Sequence, residues 1–407
     1  MLNTLVIGNG FDLNNKLPTK YMDFLSTVSF LHDHYTPSMD DVGKVFGNSI
    51  MQNRSDAIRE SYETYKTYYD QIPLDKDKIQ KIIDQSRSNL WFIYFSKLSN
   101  RNTTWIDFEK EIGKIINALN YSFNHAGESI RDIEDQKNQH LAKQFSFFLK
   151  DNALLYEGFF PDAYDFDDKY IEESSIGSGI YIINKKEIAN DLSKMLDELA
   201  DMLKNYLLMF VDSLSYKIKE LGYYVMNRAY PKMHMVCSFN YTNTYKYLYD
   251  PDAAVSHIHG NIGDKIVLGV NPDKNDNLNS IDVSFIQLKK YCQRVLYNTD
   301  LSYFDLIDEL KYAFNSNGKD EVNLFVAGHS LDETDRDIIQ ELFMFSSTIT
   351  IFYHKESAIK DYIKNIVSMY GKDGFDILRK DKCLRFVAYG EKLLLNIKNK
   401  YHFKEQL

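Results

Sequence analysis

Apolar positions in this chain follow three rhythms in turn. Leu2-Asn3-Thr4-Leu5-Val6-Ile7 is a short, nearly continuous apolar run closed by Gly8, the pattern of a buried strand that empties into a turn. After the rigid corner Leu17-Pro18-Thr19 the spacing becomes helical, with Thr19 as N-cap of a helix through Tyr21, Phe24 and Leu25. Apolar residues then recur every three or four positions in Ile83 to Leu98, in Trp105, Phe108, Ile112 and Ile115, and from Ile188 to Leu221. The acidic, Gly/Ser-containing stretch from Asp162 to Gly179 predicts a mobile loop, with a short strand over Ile180 to Ile183 beside it. From Met233 the rhythm changes again. Strand-like runs (Met233 to Phe239, Ala254 to Ile258, Ile266 to Val270, Val322 to Ala327, Thr348 to Tyr353, Leu384 to Ala388) alternate with helical segments (Val283 to Leu296, Thr334 to Phe345, Ser357 to Tyr370).

Strand–helix alternation predicts a parallel sheet with both faces covered. The isolated first strand has no sheet of its own nearby, so it is placed beside the C-terminal strands. The expected fold class is therefore α/β, a doubly wound Rossmann-like parallel sheet with a large helical insertion. Residues 1–30 together with 231–400 form the nucleotide-binding core, and residues 31–230 the mainly helical insertion, whose length suggests a regulatory role.

Composition narrows the function. The 407 residues are 44% apolar and 14% aromatic, ample for a packed core, and the 30 Tyr and 26 Phe read chiefly as packing. A net charge of -10 argues against a general nucleic-acid-binding protein. The run Tyr206-Leu207-Leu208-Met209-Phe210-Val211 is far below the ~20 residues of a membrane span. The first strand begins within a few residues of Met1, which leaves no room for a signal peptide; a soluble, cytoplasmic protein is expected. Cys237, Cys292 and Cys383 are few and scattered, as in a reducing compartment, and no structural zinc is expected. Cys237, in an apolar run, reads as a buried small hydrophobe.

Four polar clusters fall at predicted strand ends, where open α/β sheets bind ligands. The first, Gly8-Asn9-Gly10-Phe11-Asp12, is equally a tight corner or a place where bare amides meet a phosphate. In Ser238-Phe239-Asn240-Tyr241-Thr242-Asn243-Thr244 the threonines read as helix caps, while the Asn240 amide is suited to orienting a ribose hydroxyl or a water. Ser256-His257-Ile258-His259-Gly260-Asn261 offers His259 as a general base near neutral pH with His257 in support. His-x-His is also a metal-ligand spacing, but no further ligand is evident and no metal is expected. Gly328-His329-Ser330-Leu331-Asp332-Glu333-Thr334-Asp335 repeats the cradle logic of the N-terminus, with Gly328 and Ser330 as ligand contacts and Asp332 and Asp335 as caps first. In Trp105-Ile106-Asp107-Phe108-Glu109 the aromatics read as core. Glu109 shares a face with Trp105 and is expected to be drawn inward to a partner.

Taken in order, Ile7-Gly8-Asn9-Gly10-Phe11-Asp12-Leu13, Leu17-Pro18-Thr19, Trp105-Ile106-Asp107-Phe108-Glu109, Phe239-Asn240-Tyr241-Thr242, Ile258-His259-Gly260 and Gly328 to Asp335 resemble the AbiH-like abortive-infection family of bacterial anti-phage proteins. More remotely, the same clusters are similar to a sirtuin-type NAD-binding core. That likeness implies NAD as substrate or ligand, with Gly8 and Gly10 at the pyrophosphate and the rest of the first turn and Thr19 beside it. It places Asn240 at the nicotinamide ribose, His259 as base, and Gly328 with Ser330 at the adenosine ribose. This chain departs from the sirtuin pattern at Thr242 and Phe239, where that pattern has Asp and Gln, and it lacks the four-cysteine zinc module, which speaks against deacylation. The expected function is an anti-phage effector that binds and hydrolyses NAD or a related nucleotide. Alternatives are a nuclease-like effector, and a nucleotide sensor without catalysis whose insert signals to a partner or to the chain's own oligomer; a phage-derived trigger is a further expected partner.

Overall fold

The computed structural model describes residues 2–50, 55–99, 107–124, 155–156, 165–166, 171–173, 181–220, 232–270, 283–299, 301–315 and 322–389. Its centre is a six-stranded, all-parallel sheet of β1 (Leu2–Ile7), β2 (Met235–Ser238), β3 (Val255–His257), β4 (Val322–Ala327), β5 (Thr348–Tyr353) and β6 (Arg385–Ala388). The spatial order is β3-β2-β1-β4-β5-β6, the 3-2-1-4-5-6 order of doubly wound dinucleotide-binding sheets, whose order reverses between strands 1 and 4. The α/β expectation holds, and β1 pairs with β2 and β4. The apolar character of β1 and β4 follows from this central place, since a parallel strand covered on both faces needs no polar side. Val6 packs with Cys237, Leu324 and Val326 on one face, while Leu5 and Ile7 pack with Phe11, Val236 and Phe325 on the other. Cys237 is fully buried, and burial pushes its thiol far up, as expected of a small core residue.

Register places the site. Ile7 pairs with Ser238 on one side and Ala327 on the other, and Ser238 pairs with His257. The turns after β1, β2 and β4 therefore emerge level with one another. After β1 the chain forms α1 (Asn9–Asn14) and a helical body of α2 (Tyr21–His34), α3 (Val42–Ser49), α4 (Asp56–Tyr69), α5 (Lys76–Ser88), α6 (Leu90–Ser99), α7 (Phe108–Asn124), α8 (Lys185–Leu207) and α9 (Ser213–Glu220). These helices share a core that includes Phe24, Phe46, Trp91, Phe95, Phe108, Tyr206 and Phe210. Within it Phe108 is sandwiched between Tyr21 and Phe95, both at 4.1 Å between ring centroids. After β2 come α10 (Thr244–Leu248), α11 (Lys290–Tyr297), α12 (Leu301–Asn315), α13 (Arg336–Met344) and α14 (Ser357–Asp381).

Several local expectations are corrected. Ile266 to Val270 is not a sheet strand: it is a buried connection with two isolated bridges, and the Gln293 side chain accepts its Leu268 N–H at 3.0 Å. An apolar run reports burial, and here burial comes without a ladder. The expected loop over 162–179 contains strand segments: Asp165–Phe166 pairs antiparallel with Leu155–Tyr156, and Ile171–Glu173 with Tyr181–Ile183. Thr19 does not cap α2; Lys20 stands at the N-cap, its N–H donated to the Asp23 carboxylate at 2.8 Å. Ile83 to Leu98 is two helices, because Asn89 interrupts the ladder and its side chain accepts the Phe92 N–H at 3.0 Å. Trp105 and the expected core residues 390–400 lie outside the described residues. Among the described residues no helix is long and apolar enough to cross a membrane.

Candidate functional site

Three turns converge at the C-terminal ends of β1, β2 and β4, and glycines let them touch. A Cβ on Gly8 would fall 2.7 Å from His329 Cα, and one on Gly10 2.8 Å from Gly328 O. Gly328 has φ +69°, and a Cβ there would lie 2.0 Å from Phe11 N. The glycine pair therefore serves the close packing of two sheet turns. It also commits the amides: Gly8 N–H donates to Ala327 O (3.3 Å), Gly10 N–H to Gly328 O (2.8 Å) and Phe11 N–H to Gly8 O (2.8 Å). The bare amides expected to meet a phosphate are thus already satisfied at these three residues. Asn240 completes the lock, donating its side-chain N–H to Gly8 O at 3.0 Å.

These turns and the helical body enclose a cavity of about 500 Å³. Of the residues expected at a ligand, Gly8, Asn9, Gly10, Asp12, Thr19, Asn240, His259, Gly328 and Ser330 all line it, and Glu109 joins them. Phe11 does not. Its ring is fully buried against Tyr245 and Tyr249, because the first turn of α1 points it onto the face of the sheet, with Leu5, Ile7, Val236 and Phe325, instead of into the cavity. His257 is also absent from the lining; its Nδ1 lies 2.9 Å from Asn240 O, so it braces the Asn240 turn from behind. The strand stops at His257, and the same-face alternation expected of His257 and His259 stops with it. Among the described residues no group of three or more His, Cys, Asp or Glu side chains is placed to hold a metal ion.

The cavity walls divide by chemistry. Leu13, Tyr21, Met22, Leu203, Leu207, Phe239 and Tyr241 supply apolar and aromatic surface. Asn9 and Thr19 meet through a hydroxyl–amide oxygen hydrogen bond, and Tyr206 fixes that corner by donating to Pro18 O at 2.7 Å. Asp12 is buried, accepts from the Thr242 hydroxyl at 2.6 Å, and its other oxygen has no hydrogen-bond partner. Burial pushes its carboxyl up to about 6, against the pull of the Thr242 hydrogen bond.

A buried charge chain forms the opposite wall. Lys290, at the start of α11, sits 2.7 Å from Glu109 Oε2 on α7 and 2.9 Å from Asp335 Oδ1. Asp335 in turn lies 3.1 Å from His259 Nε2 and 3.4 Å from His329 Nε2. His329 Nδ1 accepts the Leu331 N–H at 2.9 Å, so its proton is on Nε2, toward Asp335. Burial is the largest single influence on Asp335 and opposes its charge, but Lys290, His329 and His259 together outweigh it and hold the carboxyl well below its ordinary value. Burial likewise opposes the Lys290 charge, and Asp335 and Glu109 outweigh it, keeping the ammonium above its usual range. Two carboxylates share one cation, so one carries the deficit: burial pushes Glu109 up to about 7, with Lys290 pulling the other way. Burial and the Lys290 charge hold His259 well below 6.5, so the expected near-neutral base is instead a neutral imidazole throughout the physiological range. Its Nε2 has no partner with hydrogen-bond geometry.

The model of the family described as bacteriophage abortive infection AbiH matches residues 4–354. The chain belongs to the AbiH family. The match spans every residue that lines the cavity and ends just past β5, leaving α14 and β6 beyond it. Membership assigns this AbiH protein an anti-phage, abortive-infection role. No curated protein and no solved structure matches the chain. Sequence reasoning missed Lys290 and gave Asp335 only a capping role. The one signal was Glu109 itself, a carboxylate on an inward-facing helical position that requires a buried cation somewhere.

Proposed function

We propose that this AbiH protein is a nucleotide hydrolase of phage defence that cleaves NAD, or a closely related nucleotide, at the nicotinamide–ribose bond. The observation that carries the reading is the cavity of about 500 Å³ at the reversal point of a 3-2-1-4-5-6 sheet, with Asn240 and His259 in its wall. In the cleavage the bond's electron pair returns to the ring nitrogen, neutral nicotinamide departs, and positive charge develops at the ribose. Water then adds to the anomeric carbon and gives its proton to a base. Neutral His259 is in the correct form to accept that proton. The carboxylates Asp12, Asp107, Glu109, Asp332 and Asp335 make the lining favourable to developing positive charge. Because the amides of Gly8, Gly10 and Phe11 and the Thr19 hydroxyl proton are committed, the phosphates fall to the Asn9 side-chain N–H groups, Lys20 and Ser330.

The test is incubation of purified full-length protein with NAD, with nicotinamide and ADP-ribose quantified. His259→Ala is expected to lower turnover by ~10²- to 10⁴-fold with an unchanged melting curve; equal rates in the variant and the parent remove His259 from the role. One observation favours a second reading, a sensor that binds without cleaving: one side-chain N–H of Asn240 is held by Gly8 O, which commits this residue in part to bracing the turn after β1. In that reading the helical body relays occupancy to a partner or to a second copy of the chain. Calorimetric binding of NAD with no product selects the sensor, and no binding at all removes both.

A further inference from the structure

The charge chain divides the cavity into two unlike ends. Around Asn9, Thr19 and Ser330 the lining is polar, with Lys20 and Asp332 as its charged groups, whereas Glu109 stands with Tyr21 and Tyr241, close enough for its charge to raise both phenols. Burial is the larger cause of those shifts, as it is for Glu109 itself. Phe108 backs Tyr21 with its ring parallel at 4.1 Å, and Tyr241 is anchored by donating its hydroxyl to Val267 O at 3.1 Å. Both aromatic walls are thus held in place independently of a ligand. At this end, two acidic side chains are neutralised by one lysine, which leaves the wall one positive charge short when both ionise. The buried His259 Nε2 next along the chain lies beside Asp335 but makes no hydrogen bond of its own. Aromatic faces flanking an under-neutralised buried carboxylate suit a flat cation.

We propose that the Glu109 end of the cavity is the subsite for a positively charged heteroaromatic ring, and that Glu109 sets the preference for the charged over the neutral form. The inference rests on the NAD reading in taking that ring as the nicotinamide of oxidised NAD. It deepens that reading by requiring discrimination against the reduced, uncharged ring, which has nearly the same shape.

The experiment measures binding by calorimetry on full-length protein for four probes: oxidised NAD, reduced NAD, the permanent cation 1-methylnicotinamide, and neutral nicotinamide. The parent is expected to favour the charged member of each pair by about tenfold or more, and Glu109→Gln to bring both ratios near one while leaving the neutral probes unchanged. A parent that binds charged and neutral rings equally overturns the proposal without any variant, so it stays testable even if Glu109→Gln does not fold. A charge preference that survives in a folded Glu109→Gln also overturns it. If 1-methylnicotinamide binds in a Glu109-dependent way and neither dinucleotide does, the subsite stands and the NAD reading falls. If no probe binds, both fall.

Discussion

Glu109 is the residue on which the electrostatics of the cavity turns. Its carboxyl titrates at about 7 in the folded chain against an ordinary 4.5, so between those values the folded state holds a proton that the unfolded state has released. A raised folded pKa gives stability that is fully present below pH 4.5 and lost as pH climbs to 7. Urea unfolding at pH 5, 6 and 7 should therefore show the parent losing about 1.4 kcal/mol per pH unit relative to Glu109→Gln; parallel pH dependences would mean that Glu109 is ionised throughout. The residues of the cavity were unevenly legible before folding. Asn240, His259 and Ser330 stand out because each is polar just past an apolar run, and Gly328 because it breaks one. Lys290 follows an apolar turn without any motif, and Asp335 sits in an acid-rich helix start where capping explains it fully. Their partnership is tertiary, made by the start of α11 meeting the turn before α13, and no local spacing encodes it.

At the scale of elements, the tightest constraint is the contact between the turn after β1 and the turn after β4. Gly10→Ala would push a methyl against the backbone of Gly328, whose O and Cα lie 2.8 and 2.9 Å from the new Cβ. Backbone cannot rotate away as a side chain can, so a loss of ~1–3 kcal/mol is expected, with the cavity distorted. Gly113, inside α7, is the control: a Cβ there meets nothing nearer than 3.8 Å. Gly113→Ala should be neutral or stabilise by ~0.5–1 kcal/mol through helix propensity. Chemical denaturation of both variants checks the contrast, and equal effects would refute the close-packing account. The strands were the most legible elements, because full burial in a parallel sheet leaves short apolar runs ended by Gly, Ser or His. Ile266 to Val270 shows the limit: its side chains are buried as a strand's would be, and only the lack of a continuous ladder beyond two isolated bridges distinguishes it.

Across the whole molecule, β1 is the hinge of the architecture, since both halves of the sheet hydrogen-bond to it. Removing residues 1–8 would leave the facing edges of β2 and β4 unpaired in the interior. Each orphaned buried backbone group costs about 1–3 kcal/mol, so the truncated chain is expected to lose its near-ultraviolet dichroism and cooperative melting; a truncated protein that melts like the parent would contradict β1's central place. The same connectivity sets a timetable for synthesis. β1 leaves the ribosome first, yet the Asn240 bond to Gly8 spans 232 residues and the Asn323 bond to Asn3 spans 320. At roughly 5–20 residues per second, β1 waits on the order of 15–60 s for its second neighbour, while the helices between can already pack locally. The reversal point between β1 and β4 exists only when nearly all of the chain is out. A nascent copy that has not yet reached β4 therefore carries the helical body without a completed cavity.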